Sequence, residues 1–177
     1  MNIRIAKVDD VAAIAKVHVE TWRTAYKDVL PSDFLAELSY EQREGLWRNL
    51  VTDPSYGRFV YVAEGEHGQI IGFASGGPER SGKTPYVSEL DAIYLLLPYQ
   101  RRAIGSRLAV ILVNRLIQEG LASLLVWVLA ANPARKFYER LGGQLVYEKP
   151  TIIGERSLIE VAYGWQDART LIEQAGG

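Results

Sequence analysis

The run Leu124-Leu125-Val126-Trp127-Val128-Leu129 is apolar at every position and lacks the alternation of a strand that faces water on one side. Such a strand has to be covered on both faces, which calls for a sheet with helices packed against it. The flanking sequence supplies helices. Before the run, Ile104, Leu108, Ile111, Leu112 and Leu116 recur at helical spacing, and Gly120 closes that helix. After it, Asn132 is placed to cap a second helix with Pro133 at its first position, and Gly142-Gly143 stop it. Another apolar run, Ala92 to Leu97, closes a strand from Tyr86 to about Leu95 and gives way to a Pro98-Tyr99 turn. The second half of the chain therefore contains a strand, helix, strand unit.

The first half begins with a short strand around Ile3 and Ile5, followed by a helix that Asp9 or Asp10 can cap and that carries Val11, Ile14, Val17 and His18 on one side. Trp22, Tyr26 and Leu30 lead to Pro31; short helices can then start at Ser32-Asp33 and at Ser39. Phe59–Ala63 and Gln69–Ala74 are β-rich runs joined by Gly65-Glu66-His67-Gly68, a hairpin signature, and a Gly/Pro/Ser-rich loop is expected from Ser75 to Pro85. Two last strands, Leu145–Ile153 and Ser157–Trp165, surround Gly154, and the tail from Gln166 to Gly177 reads as a short helix or a frayed end.

The 177 residues are nearly half apolar and show no composition break, so residues 1–177 are expected to form a single domain. With 20 Lys and Arg against 21 Asp and Glu, there is no global field for holding nucleic acid or an anionic membrane. Cysteine is absent, which removes thiolate metal sites and cysteine nucleophiles, and His18 and His67 lack the spacing of a ligand pair. No metal is expected. Neither a signal peptide nor an apolar run of about 20 residues is visible, so the expected location is cytoplasmic.

Gln100-Arg101-Arg102-Ala103-Ile104-Gly105, continuing into Ser106, opens the central helix. The first N–H groups of a helix have no intrahelical partner, and the helix dipole adds about half a positive charge at that end, so a diphosphate satisfies them well. Arg101 and Arg102 oppose the dipole at a cost of roughly 0.3–1 kcal/mol each unless an anion sits among them. They either hold such an anion or point into water.

The element order together with these two segments resembles the GCN5-related N-acetyltransferase superfamily, the GNAT fold, over essentially the whole chain. Gln100–Gly105 is similar to that family's Gln/Arg-x-x-Gly-x-Gly/Ala stretch, with Ala103 in place of a glycine, and Asn132-Pro133-Ala134-Arg135-Lys136-Phe137-Tyr138-Glu139-Arg140-Leu141-Gly142 is similar to its later Asn, Phe-Tyr and Gly pattern. The resemblance implies an α/β (α+β) fold, with a mixed central sheet of six to seven strands flanked by about four helices. It also implies an N-acetyltransferase that moves an acetyl group from acetyl-coenzyme A to a primary amine by direct attack in a ternary complex. In that family the pyrophosphate lies on the Gln100–Ser106 segment, and the backbone at Ile93, Tyr94 and Leu95 is free to pair with pantetheine. If the family glycine is left-handed, Ala103 costs roughly 1–2 kcal/mol; if it is already helical, as we expect, the swap is nearly free and Ala103→Gly alters coenzyme A affinity less than about tenfold.

Tyr138 matches the family tyrosine placed as general acid toward the departing thiolate, the alternative being a tyrosine of the core wall. Glu89, sharing strand parity with Asp91 and Ile93, is the expected proton acceptor, a role open also to Asp91 or Glu20. Asn132 either caps its helix alone or also contacts the cofactor. Trp22 and Tyr26 sit where the family builds the acceptor pocket, or else pack the first helices on the sheet. Arg135 and Lys136 are candidates for the 3′-phosphate of coenzyme A. The acceptor is a small-molecule or peptide amine, and a homodimer is a further expectation, with Tyr163 and Trp165 as its interface. A non-catalytic acyl-coenzyme A sensor of the same fold is the alternative; it binds the thioester but releases no thiol.

Overall fold

The computed structural model describes residues 1–176, so Gly177 of the expected tail lies outside the described residues. One sheet runs through the chain in the order β1-β2-β3-β4-β5-β7-β6, formed by β1 (Asn2–Ile5), β2 (Phe59–Glu64), β3 (Ile70–Pro78), β4 (Ser88–Leu95), β5 (Leu124–Leu129), β6 (Gln144–Ile153) and β7 (Arg156–Trp165). Among the described residues only β4 and β5 pair in parallel. A parallel pair needs a long crossover, and α4 (Ile104–Gln118) provides it.

The helices divide between the two faces by their apolar stripes. On one face, Val11, Ile14 and Val17 of α1 (Val11–Ala25) and Trp47 of α3 (Tyr40–Thr52) pack on Val60, Val62, Phe73 and Ala92. On the other, Leu108, Leu112 and Leu116 of α4 meet Leu90, Leu124 and Val126, together with Tyr138 and Leu141 around α5 (Arg135–Arg140) and Leu171 of α6 (Arg169–Ala175). The short α2 (Ser32–Ala36) is anchored at Leu35, beside Leu129 at the end of β5. Among the described residues the α-helices number six, with the short α2 and α6 lying where the sequence offered a start at Ser32-Asp33 and a short C-terminal helix.

The β5 run is covered on both faces as expected, though not by helices alone. Leu125 packs with Tyr86 and Ala162, while the Lys149 ammonium lies 3.8 Å from the centre of the Trp127 ring. Tyr163 and Trp165, expected at a dimer interface, are 1% and 3% exposed. They point into the α4 side of the core, where the Trp165 indole N–H donates to the Leu141 carbonyl at 2.8 Å, and are not available to a partner.

Three local expectations shift for identifiable reasons. Asp10 does not cap α1; its carboxylate accepts from the Lys7 N–H and pairs with Arg4. The loop expected from Ser75 is strand as far as Pro78, because a Cβ on Gly76 would stand 2.7 Å from the Glu89 carbonyl, and only glycine lets β3 and β4 approach so closely. The central helix begins at Ile104, leaving Gln100–Ala103 as a turn.

That turn corrects the expected conformation of Ala103. The residue sits at φ 59°, ψ 5°, in the left-handed region, as does Arg101 at φ 59°. The chain has to reverse out of the Pro98-Tyr99 turn before α4 can start, and it does so without a glycine. An alanine there is strained by about 1 kcal/mol or more. We predict that Ala103→Gly stabilises the protein by about 0.5–1 kcal/mol after the added freedom of the unfolded chain, raising Tm by roughly 2 °C in thermal denaturation; an unchanged or lower Tm contradicts the strain.

Candidate active site

β4 and β5 pair over only three residues, Ser88–Leu90 with Leu124–Val126, and then diverge. At the same point β4 carries a bulge: Ser75 of β3 faces Ala92 while Gly76 faces Leu90, so Asp91 is the extra residue. The bulge corrects the expected parity. Glu89 and Asp91 line the cleft, Ala92 and Tyr94 turn toward α1, and Ile93 and Leu95 lie against the α4 side. Past Leu90, the edge of β4 that faces β5 carries no strand partner, which leaves Ile93, Tyr94 and Leu95 bordering an open wedge.

Backbone donors follow the end of β4 that borders the wedge. Among the described residues, the N–H groups from Arg101 through Ser106 have no hydrogen-bond acceptor; the first α4 bond runs from the Arg107 N–H to the Ala103 carbonyl at 3.1 Å. The left-handed residues Arg101 and Ala103, separated by Arg102, form the kind of turn in which successive N–H groups make a concavity for an anion. Gln100 is engaged elsewhere: its Nε2 donates to the Leu95 carbonyl at 3.0 Å, tying the turn to the end of β4. Arg101 and Arg102 are exposed, Ile104 is buried in the core, and Gly105 and Ser106 are half-buried at the helix start.

Aromatic side chains fill the back of the wedge. Trp22 Nε1–H donates to the Tyr94 hydroxyl at 3.0 Å, and the Trp22 and Tyr26 rings stand 5.0 Å apart. Asn132 caps as expected, its Oδ1 accepting from the Ala134 N–H at 2.8 Å, while its Nδ2 donates to the Tyr26 hydroxyl at 2.8 Å. Tyr138 is 6% exposed, and its hydroxyl has no hydrogen-bond partner among the described residues yet is not sealed from solvent. Burial, together with the neighbouring Tyr94 and Tyr26, holds its phenol protonated far above the ordinary tyrosine range. The fold thus brings Trp22, Tyr26, Tyr94, Asn132 and Tyr138 near one another. Arg135 is turned inward, donating to the Tyr163 hydroxyl and the Ala130 carbonyl, so only Lys136 of that pair is left exposed.

The opposite wall is charged. Glu89 is 3% exposed and both its oxygens are engaged by Arg80, one of them by Nε at 3.1 Å. Asp91 lies 3.3 Å from Arg58 Nε and 3.4 Å from Arg80 Nε, but its Oδ1 has no hydrogen bond among the described residues. Burial outweighs the two guanidinium groups, helped by the nearby Glu89 charge, and pushes the Asp91 carboxyl up to about 6. Glu20, the third carboxylate considered, is tied to the Tyr40 hydroxyl on the exposed side of α1.

Beside the wedge, between α1, α3 and β4, is a cavity of about 450 Å³; a smaller one of about 170 Å³ lies in the wedge itself, and Trp22, Arg80, Asp91 and Tyr94 border both. The larger cavity brings in residues that the sequence reading left aside: His18, Arg43, Trp47 and Arg58. His18 Nδ1 accepts from the Trp47 indole N–H at 3.0 Å. Burial, with Arg43 adding to it, pushes the imidazole down to about 3, so the ring is neutral. Only the placement of His18 on the apolar side of α1 hinted at this.

Comparison with known proteins follows the same lines. Residues 17–143 match the model of the acetyltransferase (GNAT) family, and the chain belongs to that family. It is 39% identical over 171 residues to the uncharacterised N-acetyltransferase YuaI of Bacillus subtilis, covering 97% of this chain and 96% of that one. Among solved structures it resembles the PaiA N-acetyltransferase of Thermoplasma acidophilum in complex with coenzyme A, with TM-score 0.71, 19% identity and coverage of 90% of this chain and 98% of that one. It also resembles YncA of Salmonella typhimurium with acetyl-coenzyme A, with TM-score 0.69, 22% identity and coverage of 94% and 93%. The mixed seven-stranded sheet is the GNAT fold, and no described helix is long and apolar enough to cross a membrane.

A neutral buried histidine leaves a mark on stability. The unfolded chain takes up the His18 proton near its ordinary value of about 6.5 while the folded protein refuses it until about 3, so this contribution is complete above about pH 6.5 and is lost as the pH falls toward 3. We predict that the stability difference between the native protein and His18→Gln shrinks by about 2 kcal/mol between about pH 7 and pH 5 in urea denaturation; a constant difference shows that the imidazole titrates normally.

Proposed function

We propose that residues 1–177 act as one domain that transfers an acetyl group from acetyl-coenzyme A to a small-molecule or peptide primary amine in a ternary complex. The observation that carries this reading is the wedge itself. Asp91 lines it with an Oδ1 that has no hydrogen bond, the unpaired N–H groups from Arg101 to Ser106 follow the free edge of β4, and Tyr138 lies close enough to Tyr94 and Tyr26 to feel them. The coenzyme A and acetyl-coenzyme A in the two structural relatives support a coenzyme A donor, and the unpaired N–H groups of the Gln100–Ser106 turn and the free β4 edge at Ile93, Tyr94 and Leu95 suit its diphosphate and pantetheine. Arg102, whose guanidinium stands 5.9 Å from the Tyr99 ring, and Arg101 contribute charge at the mouth of that turn.

The acceptor approaches from the α1 and α3 side, past Trp22 and Tyr26. Its ammonium meets Asp91, whose carboxylate takes the proton, while Glu89 holds Arg80 in place. The freed amine attacks the thioester carbonyl carbon, forming the C–N bond. A β4 backbone N–H at the wedge stabilises the oxygen that gains charge, the C–S bond breaks as the Tyr138 hydroxyl supplies a proton to the leaving thiolate, and the second proton of the attacking nitrogen passes to the resulting Tyr138 phenolate, restoring the phenol and leaving a neutral amide. Burial keeps the Tyr138 phenol protonated throughout the neutral range, so its proton is in place when the thiolate leaves. The Tyr26 and Asn132 pair fixes the wall beside it.

The direct experiment is thiol release from acetyl-coenzyme A across a panel of amines, with mass spectrometry of the acetylated products. A protein that binds coenzyme A but releases no thiol above background fits the sensor alternative instead. Tyr138→Phe is expected to lower kcat about 100-fold while leaving coenzyme A affinity within about twofold; equal turnover removes the acid role. The log of kcat/KM is expected to rise with pH and level off above about 6, as Asp91 loses its proton, and Asp91→Asn abolishes that limb along with most of the rate.

A further inference from the structure

The larger cavity, on the acceptor side of the wedge, carries an arrangement of charge that narrows the kind of amine it takes. Three guanidinium groups, Arg43, Arg58 and Arg80, border it. Two are balanced within the protein: Arg58 by Asp91, and Arg80 by Asp91 and Glu89. Arg43 of α3 is half-buried and forms no ion pair among the described residues. Its guanidinium lies 5.9 Å from the centre of the Trp22 ring, and its charge adds to the downward push on His18.

A second atom in the same cavity is also unmatched. Because His18 Nδ1 accepts the Trp47 N–H, the neutral ring carries its proton on Nε2, and that Nε2 is buried without a hydrogen-bond partner. A buried donor left unpaired is costly, and residue 18 is 6% exposed. Around these groups, Trp22, Trp47, Leu50 and Tyr94 form an apolar wall.

The cavity is therefore lined by one acceptor without a hydrogen bond, Asp91 Oδ1, which is ion-paired to Arg80 Nε at 3.4 Å, and by two donors without partners, the Arg43 guanidinium and the buried His18 Nε2–H, beside a large apolar surface. Building on the transferase reading, we propose that the acceptor is an amine bearing a compact anionic group, of the α-amino acid class, with a large apolar side chain. Its ammonium lies on Asp91, its anionic group on Arg43 and His18, and its side chain against the tryptophans. Arg43 is then the residue that sets specificity. A polyamine brings only positive charge to a cavity already ringed by arginines and is rejected.

The test compares matched acceptors: leucine and phenylalanine, their carboxamides, the corresponding decarboxylated amines, and spermidine. Thiol release gives kcat/KM for each, and calorimetry in the presence of coenzyme A gives acceptor binding. We expect the acids to exceed their amides by at least about tenfold, and Arg43→Gln to collapse that ratio toward one, with Arg43→Lys restoring part of it. Coenzyme A titration of each variant reports whether the fold and donor site persist. Turnover that is equal for acids and amides, or that favours spermidine, overturns the anionic-amine assignment while leaving acetyl transfer standing. Absence of thiol release from every amine, with acids still binding in preference to amides, supports the cavity assignment and removes the transferase reading; absence of both overturns the two together.

Discussion

The extra residue in β4 is the constraint on which the rest of the molecule turns. Pairing between β4 and β5 stops at Leu90 and Val126, and Asp91, with no counterpart on β3, follows at once. A bulge bends and twists its strand, so the two parallel strands separate where the chain would otherwise have continued the ladder. Gly76 permits the bulge by letting β3 lie against the Glu89 carbonyl. The sheet stays continuous on its outer edges through β3 and β7, and the opening is confined to its middle.

Opening a sheet leaves polar backbone without partners and exposes its interior, and the protein answers with two kinds of side chain. Aromatic groups from α1, β4 and α5 close the back, joined by hydrogen bonds from Trp22 to Tyr94 and from Asn132 to Tyr26. Arg58 and Arg80 accompany the carboxylates into the wedge. The burial that makes this possible moves two titratable groups in opposite directions, Asp91 upward and His18 downward. Both shifts favour the neutral form. They place a carboxyl near the edge of the neutral range, where a proton acceptor for an ammonium is useful, and keep a histidine uncharged beside arginines.

Much of this was legible in the sequence because it rests on local rules. The apolar β5 run, the spacing of Leu108, Leu112 and Leu116, the Asn132 cap and the glycine stop of α5 are each dictated by neighbours a few residues away, and they appear where expected. Gly143 N–H bonds back to the Tyr138 carbonyl at 3.0 Å, closing the helix that presents Tyr138. What the sequence did not reveal depends on distant pairing. The bulge at Asp91 arises from register with β3, so strand parity placed Ile93 beside Glu89 when they face opposite ways. Val161, Tyr163 and Trp165 of β7 share one face, and nothing local in their spacing says that α4, α5 and α6 cover it. Ala103 misled because left-handed backbone is ordinarily announced by glycine, and here the turn imposes it on alanine.

The two sides of the wedge are built from different materials, and this explains why one could be read and the other could not. The donor side is main chain: a turn, a helix start and a strand edge, whose N–H groups are the same for almost any side chain and whose signature is short and contiguous. The acceptor side is made of side chains from α1, α3, β4 and the segments before β2 and β4, residues as far apart as His18 and Asp91. No local spacing links them. Arg43 and Trp47 of α3 line this cavity with Asp91, and the residues of the Gln100–Ser106 turn do not. Under the proposed transfer, a fold arranged in this way keeps one acyl donor fixed while its acceptor surface is free to vary. For that reason the chemistry of this chain follows from its family, whereas the identity of its amine has to be argued from its own arginines, histidine and aspartate.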